Sequence, residues 1–136
     1  ISEVGLDMSK WPTVKHFTSW LNLAPNNKIS GGKVLSSRIP KKKNHAGQIF
    51  RMAAFAIQRS KNWLAMFYNR IKAKNGAPKA IVATARKIAA IFYKMIKERV
   101  KFNPIPIEKY MDGFKENQIK KLKRQAKNLG LQIVEM

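Results

Sequence analysis

The chain has 136 residues and a formal net charge of +21, from 28 Lys and Arg against 7 Asp and Glu. With 45% hydrophobic residues it has enough apolar side chain to bury a core, which excludes disorder over most of its length. It has no cysteine and no apolar run near the ~20 residues of a spanning helix, which excludes a disulfide framework, a thiolate metal site and a helical membrane anchor.

Residues 1–12 read as irregular, with Gly5 and Pro12 as breakers. Thr13 caps a predicted helix running to about Leu23, with Phe17, Trp20 and Leu21 on its apolar face. Ala24-Pro25-Asn26-Asn27 ends it, and residues 28–43 read as a basic loop or loose hairpin closing on Pro40-Lys41-Lys42-Lys43. A second helix is expected from Asn44 to Lys61, and its Phe50–Ile57 stretch is apolar almost all round, which predicts a central place. A third covers about Trp63 to Lys74, with Leu64, Phe67, Tyr68 and Ile71 inward, and Asn75-Gly76 stops it. Pro78 opens a fourth, in which Ile81, Ala85, Ile88, Phe92, Met95, Ile96 and Val100 recur at helical spacing to about Lys101. Its outer face carries Lys79, Arg86, Lys87, Lys94, Lys97 and Arg99. After the break at Asn103-Pro104-Ile105-Pro106, a last helix is expected from about Glu116 to Leu129. There Ile119, Leu122 and Ala126 face inward and Lys120, Lys121, Lys123, Arg124 and Lys127 face out. Gly130 terminates it, and Leu131 to Val134 has the composition of a short strand. The fold class that follows is mainly α: about five helices in one domain, residues 1–136, with a basic loop and at most a small β element.

The stretch Lys28-Ile29-Ser30-Gly31-Gly32-Lys33 concentrates the chemistry. Gly31 and Gly32 let backbone approach a phosphate closely, and Lys28 and Lys33 attract one. The plain alternative is a turn serine bonded within its own loop. The segment has neither the order of a phosphate-binding P-loop nor the Gly-x-Ser-x-Gly of a nucleophile elbow. The seven carboxylates lie near the ends or on helix surfaces, so no two-metal nuclease site is expected in this chain. His16 and His45 lack clustered acids, which argues against zinc. His45 reads as a helix-start residue or a phosphate contact, and His16 as packing or surface. Arg51 lies among apolar neighbours in a chain short of carboxylates, so a phosphate is its natural partner, against the plain reading of a surface arginine.

The ordered set Trp20-Leu21-Asn22-Leu23-Ala24-Pro25, Lys28 to Lys33, Lys43-Asn44-His45 and Phe50-Arg51-Met52-Ala53-Ala54 resembles the C-terminal serine domain of the bridge-RNA-guided insertion-sequence transposases. Ala80 to Lys87, Tyr93-Lys94-Met95-Ile96 and Asn128-Leu129-Gly130 are similar to the same family, so the resemblance covers nearly the whole chain. Asn22 stands where that family usually has glycine. The resemblance implies that Ser30 is the recombination nucleophile and that Arg51 belongs to the family motif. It implies no cofactor in this chain, and Mg2+ in an acidic RNase-H-like domain upstream, so that the chain is a fragment of a longer protein and inactive by itself. DNA, a guide RNA and further copies of the protein are the expected partners, and no membrane; the expected location is the bacterial cytoplasm, at the nucleoid. Candidate nucleic-acid contacts are Lys28, Gly31, Gly32, Lys33, Lys41, Lys42, Lys43, Asn44 and Arg51. The competing readings are a non-catalytic basic nucleic-acid-binding module, which composition fits equally well, and a membrane-active basic protein.

Overall fold

Asparagine and threonine side chains start three of the helices. In the computed structural model, which describes residues 3–42 and 44–134, Thr13, Asn44 and Asn62 each accept a backbone N–H from three residues ahead, at 3.4, 3.0 and 2.9 Å. The elements are α1 Val14–Trp20, β1 Lys28–Ser30, β2 Lys33–Ser36, α2 His45–Ile57, α3 Trp63–Asn75, α4 Ala77–Glu98 and α5 Ile107–Asn128. The mainly helical class with one small sheet is as expected from the sequence. The chain divides into two compact units, Ile1–Asn103 and Pro104–Met136.

In the first unit α4 is the central element, and α1, α2 and α3 all pack on it. Apart from Tyr93 its buried residues are small, Ala80, Thr84, Ala85 and Ala89, which lets neighbouring backbones come close. Phe17 is fully buried and meets Trp11, Phe50, Phe92 and Tyr93 at centroid distances of 5.0 to 6.3 Å. Residues 3–12 are irregular, as expected, yet they place Val4, Met8 and Trp11 in the core. They are tied down by Tyr93, whose hydroxyl donates to the Trp11 carbonyl at 2.7 Å, and by Lys97, which donates to the Pro12 carbonyl at 3.0 Å.

Several expectations are corrected. The second helix is not central and ends at Ile57, not Lys61. Ala46, Gly47 and Ala54 form its buried face, while Met52 and Phe55 are 70% and 57% exposed. Apolar composition all round does not force burial when one neighbouring helix, α4, already covers the face with the smallest residues. Trp20 is partly exposed, although its ring lies 4.9 Å from that of Trp11. The fourth helix stops at Glu98 because Arg99 turns left-handed at φ 52°, which leaves Val100 exposed.

The second unit contains α5, which starts at Ile107, well before Glu116. Gly113 lies inside it, since one helical glycine costs about 1 kcal/mol without ending the helix. No residue of α5 is buried, and Ile119 and Leu122 are exposed instead of inward. A single helix has nothing to bury its stripe against within its own unit. Leu131 to Val134 form no strand.

Candidate active site

Ser30, Gly31, Gly32 and Lys33 close a two-residue hairpin. Ser30 pairs with Lys33 across the ladder, and Gly31 and Gly32 have φ of 56° and 76°. Two successive positive φ values define a type I′ turn, whose twist matches the strands and which glycine enters at no steric cost. That is the reason for the double glycine. A Cβ at either position meets nothing within 4 Å, so it is the backbone conformation and not crowding that calls for glycine.

The strand period of two sorts the side chains. Lys28 and Ser30 share one face of the ribbon, with Lys33 directly beside Ser30 as its cross-strand partner, and Ile29 with Val34 occupies the other. Leu35 is the extra residue of a bulge between the Lys28–Ser36 and Ile29–Val34 pairs. Cross-strand neighbours sit about 5 Å apart at Cβ, so the Lys33 chain has ample length to bring its ammonium beside the Ser30 hydroxyl. The face thus presents one hydroxyl between two cations, all exposed.

The base of this hairpin is gripped by side chains from both flanks. The Asn26 amide donates to the Arg38 carbonyl at 3.0 Å. Below that closure, Asn22 donates through Nδ2 to the Lys42 carbonyl at 2.8 Å, and Asn44 donates through Nδ2 to the Trp20 carbonyl at 2.7 Å. Arg51 reaches from α2 and donates through Nη2 to the Asn22 carbonyl at 3.0 Å. Its Nε is buried without a partner among the described residues. Asn22 itself is left-handed, with φ 55°. That region is open to glycine and, among other residues, most readily to asparagine. Gly47 completes the grip, because a Cβ there would run into the Leu21 carbonyl.

The sequence candidates therefore fall into two groups. Lys28, Ser30, Gly31, Gly32 and Lys33 share the tip. Asn44 and Arg51 share the base and bond to the protein's own backbone, and Arg51 makes no bond to Ser30. Lys41 and Lys42 lead the chain back to α2 and are exposed; Lys43 lies outside the described residues. His45 is apart from the tip chemistry, its Nδ1 3.1 Å from a Glu3 carboxylate oxygen, and His16 Nδ1 is 2.7 Å from the Thr13 hydroxyl. Asn22 belongs to this grip but not to the sequence candidates. Its signal was present, an asparagine standing where the similar family has glycine. Among the described residues no three His, Asp or Glu side chains are grouped to hold a metal ion, and no helix is long and apolar enough to cross a membrane.

The family model of the transposase IS116/IS110/IS902 family matches residues 1–69. The chain belongs to that family. The matched span holds the irregular N-terminal segment, the hairpin with Ser30, the Asn22–Asn44–Arg51 grip and the first part of α3. Neither a curated protein nor a solved structure matches the chain. Membership in this transposase family supports a role in DNA recombination, and DNA as a partner. α4 and α5, with all their cations, lie beyond the matched span.

Proposed function

We propose that this chain is the serine-bearing part of a transposase that cuts and rejoins DNA, with Ser30 as the nucleophile. The observation that carries the reading is the hairpin face, where an exposed hydroxyl is flanked by Lys28 and Lys33 beside a two-residue turn. The Ser30 oxygen attacks a phosphodiester phosphorus and a P–O bond to one strand end breaks. The strand end leaves as a hydroxyl, carrying the proton that serine gives up. One phosphodiester replaces another, so the linkage keeps the bond energy and rejoining is the same exchange in reverse. Lys28 and Lys33 offset the phosphate charge as it grows in the transition state. Arg51 and Asn44 hold the base so that the tip is presented in one orientation.

The carboxylates among the described residues do not fit a two-metal centre. The Mg2+ that the family resemblance implies belongs to an acidic domain outside this chain, and the complete protein is the active species. A guide RNA and assembly of several copies are parts of the same reading that rest on the resemblance alone.

The test is a trapped cleavage reaction with the complete protein on a nicked DNA substrate, followed by digestion and mass mapping. A phosphoserine–DNA peptide at Ser30 is expected. An adduct at a different residue, or strand exchange with no covalent adduct, would return the chain to a non-catalytic nucleic-acid-binding module.

A further inference from the structure

Beside the hairpin, the first unit has an open cavity of about 1070 Å³ between the outgoing limb, Ser37 to Ile39, and the surfaces of α3 and α4. Its floor is apolar, with Phe67, Val82 and Ala83 prominent, and its edges carry Arg38, Lys79 and Arg86. Among the described residues no carboxylate lines it. The edge cations are exposed and have no ion-pair partner among the described residues. Phe67 is half-buried, with Arg70 and Lys87 cations 5.4 and 5.5 Å from its ring centre.

We infer that this groove binds an unpaired stretch of DNA, with bases on the floor and phosphates on the rim. Cations beside an aromatic and aliphatic floor are the chemistry of single-strand binding, where phosphates meet charge and bases meet apolar surface. Duplex DNA fits the rim but not the floor, since its bases are stacked inside the helix. A deoxyribose strand suits the floor better than RNA. Among the described residues Ser37 is the only uncharged polar side chain lining the groove, so buried 2′-hydroxyls would find few partners. An acidic peptide would satisfy the rim but leave the aromatic floor without flat rings to stack. The location fits a recombining protein, because a cut duplex frees a strand next to the hairpin that cuts it. This inference rests on the DNA-recombination reading, and the α4 part of the groove lies outside the span matched to the family.

The experiment measures binding of the whole chain to a labelled thymine oligonucleotide, its uracil RNA counterpart, a duplex of equal length and a poly-glutamate peptide. Two variants alter the floor: Phe67→Ala removes the ring, and Ala83→Glu puts a carboxylate on a half-exposed helical position. Each is expected to weaken oligonucleotide binding about tenfold and to leave duplex binding within about twofold. Photo-crosslinking of iodouracil DNA to the unaltered chain should map to Phe67, which covers the case of a variant that fails to fold. Equal losses on duplex and oligonucleotide, or crosslinks only outside the groove, would overturn the inference. Tighter binding of RNA would overturn the assignment to DNA, and tighter binding of poly-glutamate would assign the groove to a protein partner. Duplex binding without oligonucleotide binding would remove the groove but keep the recombination reading, whereas no binding to either would remove both.

Discussion

Ser30 is exposed and its hydroxyl makes no hydrogen bond among the described residues, so its removal separates chemistry from folding. Ser30→Ala is expected to change the unfolding free energy by less than about 0.5 kcal/mol, as for surface substitutions generally. In the complete enzyme it should abolish both strand exchange and the covalent protein–DNA adduct. Ser36, whose hydroxyl accepts from the Arg38 amide, and the exposed Ser37 are the controls and should retain exchange as alanine. Full recombination by the Ser30 variant would end its candidacy as nucleophile. Arg51 behaves differently because it holds structure. Arg51→Lys keeps the charge but loses the planar fork that reaches the Asn22 carbonyl. A loss of about 1.5 to 3 kcal/mol of stability is expected, the usual worth of a hydrogen bond to a charged group. Strand exchange should suffer more than gross DNA affinity. An unchanged melting curve together with unchanged activity would make the grip irrelevant. The sequence pointed Arg51 toward a phosphate, beside the plain reading of a surface arginine, because it showed the lack of carboxylates; the carbonyl that left-handed Asn22 presents to it follows only from the structure.

Helix α2 shows what an apolar run conceals. Ala54 is completely buried, whereas Met52 two residues earlier is 70% exposed. Ala54→Leu should therefore cost about 1 to 3 kcal/mol by overpacking against α4. Met52→Lys should stay within about 0.5 kcal/mol, despite exchanging an apolar for a charged residue. Denaturant unfolding of the two variants reads both, and the reverse order would mean that α2 turns its other face to the core. The helices were legible because caps and breakers are local: Thr13, Asn44, Asn62, Gly76 and Pro78 all stand where elements begin or end. What was not legible depends on neighbours distant in sequence. Trp11 enters the core through a contact with Tyr93, and the α5 stripe lacks a counterpart in its own unit. The hairpin was legible as a turn from its glycines, yet the face that groups Lys28, Ser30 and Lys33 follows only from the register.

At the scale of the whole molecule, charge decides the partner more firmly than any single residue. A net +21 on 136 residues, from 28 Lys and Arg against 7 Asp and Glu, means that the cations far outnumber the carboxylates able to pair with them, and leaves an excess of positive charge for phosphate. Each phosphate neutralised on duplex DNA releases counterions and contributes about −0.9 to the slope of log affinity against log salt. If the hairpin lysines and the exposed cations of α4 together engage about five phosphates, the slope on duplex DNA should be roughly −4 to −5. On single strands the contribution per phosphate is smaller, about −0.7, so an unpaired strand meeting the same number of cations should give a slope near −3.5. The difference separates two ways of using the same charge. A protein that binds only through its rim loses affinity steeply with salt on both substrates. One that also stacks bases on an apolar floor keeps a salt-independent remainder on the single strand. Titrations of the whole chain over a range of sodium chloride concentrations measure both slopes. A slope near zero on duplex DNA, or no binding at low salt, would show that the excess charge does not serve DNA and would leave the family's recombination role without support in this chain's own surface.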